Sequence, residues 1–428
     1  MNRQVNLQSL WGLSPWEVQQ AHRAVIADEV ASYFRDDPTL QYRGLIGTGY
    51  SGAVILFLQL DNQRRPLNKF VVKYSLYPLA DVRLQNEAHW LTQLQGAEHI
   101  SQRIILFDAN FNEVNTGKRP TLALRYIENG TIERFIARYK EENEYVPSRF
   151  LWRVLACLLQ HAIAMGYPPR RRRGINPTRE NIAPGVEYFP LNQNSPHGGN
   201  LMFGELDAND FHHQLTPRLH LIDFDRASAE LEPSAAWDLN LTYMMMQFQY
   251  ITLLLNDISE VSVDDPTLWA DDLNLGDGPI QYHTIADPRF LTLPYLDLAL
   301  RNLVARCCAV PEEHRPTIEQ LQLIVELGLE RDADDISGAG LIGLPDDLYN
   351  RELDDAIKDI TQRYILSAPE DPTFPSGQPV RTLDDIRRFP IGPPIPHDPR
   401  ALQPQQTLFQ RFNQWLSGER AGPDPGVD

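Results

Sequence analysis

The sequence predicts an α+β protein in which a small antiparallel sheet with one helix precedes a larger, mostly helical part. Three observations carry that expectation. From residue 42 to about 127 the apolar residues mostly follow strand-like runs, with one helical interruption, and after Gly130 they recur at the helical spacing of about 3.6. The stretch "YRGLIGTGYSGAVILFLQL" (42–60) is two β-rich runs around a glycine cluster, the pattern of a hairpin. With 428 residues, 42% hydrophobic and 9% aromatic, the chain is long enough to bury the core of one large two-part domain or two ordinary ones.

The elements follow in order. Residues 14–34 read as a helix, with Ser14 as N-cap, Pro15 at the first helical position and Glu17 closing a capping box. Ile26, Val30, Tyr33 and Phe34 give it an apolar face, and "DDP" (36–38) stops it. After the 42–60 runs, "DNQRRP" turns the chain into a further strand, "KFVVKYS". "DVRLQNEAHWLTQLQ" (81–95) is helical, with Leu84, Glu87, Leu91 and Leu94 on one face. "RIILFDANF" and "TLALRYI" are two more strands, and helices are expected over 148–167, 235–255, 295–310 and 317–329. The last 98 residues hold 13 of the 33 prolines and 17 acids against 10 Lys/Arg, so 331–428 reads as a Pro-rich acidic tail. Within it, "QQTLFQRFNQWLSG" (405–418) is amphipathic, with Leu408, Phe409, Phe412 and Leu416 forming a docking face.

Bulk properties exclude several classes. No apolar run approaches the roughly 18 residues of a membrane span, so no membrane association is expected. The N-terminus lacks a basic region followed by a long apolar segment, the mark of a secretion signal. Three cysteines, two of them adjacent (Cys307, Cys308), are too few for a disulfide framework and have no metal-site spacing, which points to a reducing intracellular compartment, cytoplasmic or nuclear. A net charge of −18 argues against the chain wrapping nucleic acid.

Chemistry is concentrated in a few stretches. "GTGYSGAV" (47–54) fits G-x-G-x-x-G-x-V and is followed by a strand-like run rather than by a helix. That context favours a hairpin covering phosphates over a dinucleotide fingerprint, which opens a helix. Glycines at 47, 49 and 52 would let the backbone approach an anion where a Cβ would clash. Lys73 follows in "FVVK", and Glu87 lies on the core face of the next helix. Asp223 in "LIDFDRAS" (221–228), at a strand end, is a hard oxygen ligand suited to Mg²⁺.

Together these features resemble the protein kinase family over roughly residues 42–330. The resemblance implies a bilobal fold, with an N-terminal helical extension (1–41), a sheet-bearing N-lobe (42–127) and a helical C-lobe (128–330) before the tail. It also implies ATP and Mg²⁺ as cofactors. Gly47, Gly49, Gly52 and Val54 would cover the phosphates, Lys73 would bind them and Glu87 would orient Lys73. Leu124 takes the gatekeeper place, with Arg125, Tyr126 and Ile127 beside the adenine, and Asp223 and Asn200 would hold the metal, Asp225 replacing the usual glycine. Arg315 in "HRPT" matches a late arginine whose partner is a glutamate, for which Glu232 is a poor candidate, and Asp238 falls where a helix-borne aspartate anchors the catalytic loop.

That loop, "NSPHGGN" (194–200), departs from the family pattern. The family's catalytic aspartate lies five positions before the metal-binding asparagine; with Asn200 as that asparagine, the slot holds Ser195, and a shift of one residue puts Asn194 there. Neither supplies a carboxylate. His197 falls where it would touch the γ-phosphate. Serine hydrogen-bonds an acceptor hydroxyl but is no base near pH 7, and general-base help is worth on the order of 10²–10⁴ in rate. The expectation is a nucleotide-binding pseudokinase, or very weak phosphotransferase, that works by binding and scaffolding. The alternative is an active kinase transferring the γ-phosphate to Ser/Thr or to a small-molecule hydroxyl, with a displaced acid or His197 as base; a third is a structural module with an empty pocket. The short segment after Asp223 leaves little room for a peptide-docking platform. The insertion at 168–193, with Arg170–Arg173, and the tail are the expected protein-partner surfaces. His212–His213 reads as a solvated loop, Met244–Met246 as a core stripe, and Trp11, Trp16 and Trp415 as staples of the extensions.

Overall fold

A computed structural model describes residues 30–32, 34, 37–48, 52–75, 78–104, 120–142, 145–170, 176–258, 266–273, 275, 278–338 and 346–367. Four antiparallel strands form the first part in the order β1 (Leu40–Thr48), β2 (Gly52–Leu60), β3 (Pro66–Ser75) and β4 (Thr121–Arg125). Helix α1 (Pro78–Gln93) lies between β3 and β4 in sequence. Strand alternation divides the sheet's side chains between two cores. Ile55, Phe57, Phe70, Val72 and Tyr74 face one side, where Val30 and Phe34 cover them. Leu56 and Val71 face the other, with Leu84 and Leu91 of α1. Burial on both faces explains why β2 is almost continuously apolar. Tyr33 and the rest of the predicted 14–34 helix up to Glu29 lie outside the described residues, as do Trp11, Trp16, Trp415 and the 405–418 patch. Of the predicted strand "RIILFDANF", Arg103 makes a bridge to Leu124 and the stretch from Ile105 lies outside them.

The second part is helical: α2 (Ile132–Tyr139), α3 (Ser148–Gly166), α4 (Pro233–Leu255), α5 (Pro288–Leu291), α6 (Leu298–Cys307) and α7 (Ile318–Glu330). Helix α3 is buried along almost its whole length, so it carries no polar face and runs through the centre of the core. Met244 and Met245 of α4 are core residues. Two hairpins punctuate the helices: β5 (Leu201–Phe203) with β6 (Leu219–Leu221), and β7 (Thr267–Asp271) with β8 (Ile280–Thr284). Among the described residues, no helix is long and apolar enough to cross a membrane.

The packed chain runs past residue 330, into what the proline and acid content marks as tail. Helices α8 (Ala333–Gly338), α9 (Asp346–Arg351) and α10 (Asp354–Thr361) follow, and Ile357, Ile360, Tyr364 and Ile365 join the main core. Proline and acid content averaged over 98 residues hid the apolar spacing of this short stretch. Its anchor is Glu352, which accepts from the Ser148 amide at 2.7 Å and the Arg149 amide at 3.0 Å. Those amides open α3, where free N–H groups and the helix dipole favour an anion. Glu352→Ala is expected to destabilise the fold by about 1–3 kcal/mol, because a buried and a partly buried N–H donor lose their acceptor; urea unfolding at pH 7 measures it.

Two sequence expectations are corrected here. His212–His213 is not a solvated loop: His213 is 3% exposed, and His212 pairs with Arg179 and, at 3.3 Å, with Glu326. Nor does Asp238 anchor the 194–200 loop. It pairs with Arg315 at 3.4 Å, so Arg315 is met by this helix-borne aspartate rather than by Glu232. Asn240, two residues further along α4, binds the Leu191 carbonyl at 2.8 Å and the Tyr188 hydroxyl at 2.9 Å.

Candidate functional site

Lys73 sits in the middle of the sheet, paired with Val54 on β2 and Leu122 on β4. Its Nζ reaches Glu87 Oε1 at 2.6 Å and Asp223 Oδ1 at 3.1 Å, with the lysine side chain 17% exposed and Glu87 2%. The helical period of α1 turns Glu87 inward together with Leu84 and Leu91, and Ser75 bonds Asp81 in the first turn to fix the strand-to-helix corner. Asp223 arrives from the end of β6 with a left-handed backbone, φ +66°, an uncommon conformation for a residue with a Cβ.

Burial alone would lower the lysine pKa, but the attraction of Asp223 and Glu87 outweighs it and raises it, so the ammonium is held charged. Burial would raise Asp223; Lys73, by charge and hydrogen bond, brings it below the usual aspartate value. Burial pushes Glu87 up to about 7 against the pull of Lys73. Asp225 is raised by burial and by Asp223, with Arg83 at 3.8 Å opposing.

The 192–200 stretch is sewn to 222–228 by amide side chains. Gln193 donates to the carbonyls of Ile222 (3.2 Å) and Asp223 (2.8 Å), Asn194 to Arg226 O and Ser228 Oγ, and Asn192 pairs main chain to main chain with Ser228. Asn200 Nδ2 donates to Ser195 O at 2.9 Å, and the Asn200 carbonyl accepts from Ile222 N, which brings Asn200 beside the start of the Asp223 segment. With its NH₂ so engaged, Asn200 has its Oδ1 as an acceptor, and Asp223 keeps a second oxygen beyond the one on Lys73. An ionised carboxylate and an amide oxygen suit a hard divalent cation such as Mg²⁺, and Lys73 beside them suits an anion.

Sequence reasoning missed Asn86 and Trp90, i and i+4 on α1. Asn86 binds the carbonyls of Asp225 and Ala227, and Trp90 Nε1 that of Ala227 at 2.9 Å. They fix the segment that presents Asp223; a polar pair beside the Glu87 face was the available signal.

The other predicted residues are placed as follows. Gly52 is tight, since an added Cβ would stand 3.2 Å from the Tyr74 carbonyl, whereas at Gly47 it would meet only Val54 at 3.6 Å, an ordinary contact. Gly49 lies outside the described residues. Val54 and Tyr126 are partly buried, and Lys69 stands over the Tyr126 ring at 5.4 Å. Leu124 and Ile127 are buried, Leu124 within the core against which Val54 and Tyr126 pack. Ser195 follows the turn at Asn194, its amide held by Gln193 Oε1 at 3.0 Å. His197 is half exposed, and its nearest carboxylate is Glu133, 3.9 Å from Nδ1. Arg170 stacks over Phe189, and Arg171–Arg173 lie outside the described residues. No protein-family model matches the chain, and a search of curated proteins finds no match.

Proposed function

We propose that the chain is a protein-kinase-like bilobal protein that binds ATP with Mg²⁺ and acts as a pseudokinase, through binding and scaffolding rather than turnover. One observation carries the reading: a charged lysine lies between a buried glutamate and an ionised aspartate, beside a loop that offers no carboxylate of its own. In this reading the sheet and α1 form the N-lobe and the helices from α2 onward the C-lobe. Lys73 binds phosphate oxygens, Glu87 holds Lys73, and Asp223 with Asn200 takes the metal. Bound Mg²⁺ neutralises phosphate charge, and the residues of the chain supply position and field.

A second reading has its own observation. Glu133 approaches His197 from the first turn of α2, so a displaced carboxylate and an imidazole lie at the loop. As a base pair for an acceptor hydroxyl they would make the chain a slow phosphotransferase.

Two measurements on purified protein separate the readings. A nucleotide binder gains RT ln(1 + [L]/Kd), about 2.7 kcal/mol at a hundredfold excess over Kd, so Mg·ATP raises Tm in the wild type and fails to in Asp223→Asn. Phosphotransfer is expected to be undetectable. Turnover abolished by Asp223→Asn and by Glu133→Gln overturns the pseudokinase reading for the second one; no Tm shift overturns both.

A further inference from the structure

Three residues far apart in sequence converge inside the helical part. Ligating atoms of His99, Cys157 and His213 all lie within 4.8 Å of one another, and the residues are 2%, 2% and 3% exposed. His99 comes from the stretch after α1, and its carbonyl accepts from Leu221 N; Cys157 comes from the middle of α3, and His213 from the connection between β5 and β6.

Their hydrogen bonds leave a specific pattern. His99 Nδ1 is 2.6 Å from Glu180 Oε2, and Glu180 Oε1 accepts from the His99 amide at 2.7 Å. The carboxylate therefore draws the ring proton to Nδ1 and turns the Nε2 lone pair inward. That lone pair faces His213 Nε2 at 3.1 Å, and His213 Nδ1 is buried with no hydrogen-bond partner. His161, whose ring also lies close to that of His99, is engaged with the Leu219 carbonyl at 2.8 Å and stays outside the cluster.

We propose that His99, Cys157 and His213 form a binding site for a transition-metal dication, Zn²⁺ by preference, with Glu180 as the orienting carboxylate behind His99. Two nitrogens held tetrahedrally at about 2.0–2.1 Å from zinc stand about 3.4 Å apart, so the observed 3.1 Å requires a shift of a few tenths of an ångström. Imidazole and thiolate donors select zinc-like ions over Mg²⁺ or Ca²⁺. A carboxylate on the far nitrogen is the usual support for a metal-bound histidine. A dication would offset the negative charge of the Cys157 thiolate formed on binding and of the Glu180 carboxylate behind His99. Burial keeps both histidines neutral, the form that ligates, while it pushes the Cys157 thiol up to about 12; binding expels that proton, as a coordinating ion does. The site staples the stretch after α1, α3 and the β5–β6 connection together, with the 168–193 insertion joined through Glu180, and it owes nothing to nucleotide binding.

The test uses the full chain with Zn²⁺ and with Co²⁺ as a spectroscopic probe. One Zn²⁺ per chain is expected, and one Co²⁺ with a thiolate-to-metal charge-transfer band. Cys157→Ala abolishes the band; Cys307→Ala/Cys308→Ala retains it; Glu180→Gln weakens Zn²⁺ binding about 10–100-fold. No stoichiometric Zn²⁺, or a band that survives Cys157→Ala, overturns the assignment. Should Cys157→Ala fail to fold, X-ray absorption of the wild-type zinc protein decides: one sulfur at about 2.3 Å with nitrogens at about 2.0–2.1 Å supports it, and a sulfur-free shell overturns it.

Discussion

Asp271→Ala is expected to lower stability by about 3–5 kcal/mol, because it breaks a fully buried ion pair. Arg306 on α6 and Asp271 at the end of β7 both have side chains with no solvent exposure, 3.2 Å apart. The guanidinium donates through Nε to the His314 carbonyl at 2.8 Å and lies over the Tyr282 ring at 5.3 Å. Asp271 also accepts from the Tyr282 hydroxyl, which burial and the neighbouring carboxylate both keep protonated. Removing the carboxylate takes a buried ion pair from Arg306 and the acceptor from the Tyr282 hydroxyl. Thermal unfolding should show a fall of about 10 °C. Replacing the pair together, with Asp271→Leu, Arg306→Met and Tyr282→Phe, should recover most of the loss, since neither charge then needs water. If Asp271→Ala alone unfolds with the wild type, the pair is not desolvated as described.

That network shows where sequence reading stops. "TLWAD" and "IQYHT" alternate as β7 and β8 should, with a Gly-Asp-Gly-Pro turn signal before the second, yet each is only five residues long and neither was expected. By contrast β1 to β3 and α1 are long, nine residues or more each, and the face expected for α1 agrees with the buried Leu84, Glu87, Leu91 and Leu94. Lys73, Glu87 and Asp223 were legible because an apolar strand run, a helical face and a strand end each placed a charged residue among apolar neighbours, and burial forces such charges to find one another. Asn240, Glu352 and the His99–Cys157–His213 cluster were not. Their partners lie 49, 204 and at least 56 residues away, so nothing local marks them, and only the packing of the helical part brings them together. Spacing rules for metal sites detect ligands that share a loop, and these come from three elements.

Lys73→Met is expected to abolish the Tm shift by Mg·ATP and to weaken the fold by an amount that grows with pH. Two terms make up the stability loss. Asp223 owes its depressed pKa to Lys73, so its contribution, present above about pH 4 and lost on acidification, disappears as a constant offset at neutral pH. Glu87 behaves oppositely. Its folded value of about 7 already exceeds the 4.5 of a free side chain, so the native state holds an extra proton between those limits and stability falls as pH rises through them. Without Lys73 that value climbs further, and the fall continues beyond pH 7 at up to about 1.4 kcal/mol per unit. The variant's deficit should therefore be limited to the Asp223 offset near pH 5 and larger by as much as about 2 kcal/mol at pH 8.5 than at pH 7. Adding Glu87→Gln removes the titrating group and should flatten the profile, yet the double variant should still ignore nucleotide. Denaturant melts across pH with and without Mg·ATP separate the two effects. A double variant that is stable and still shifted by nucleotide would remove Lys73 from the proposed site, and a pH-independent deficit would mean that Glu87 is not buried behind it.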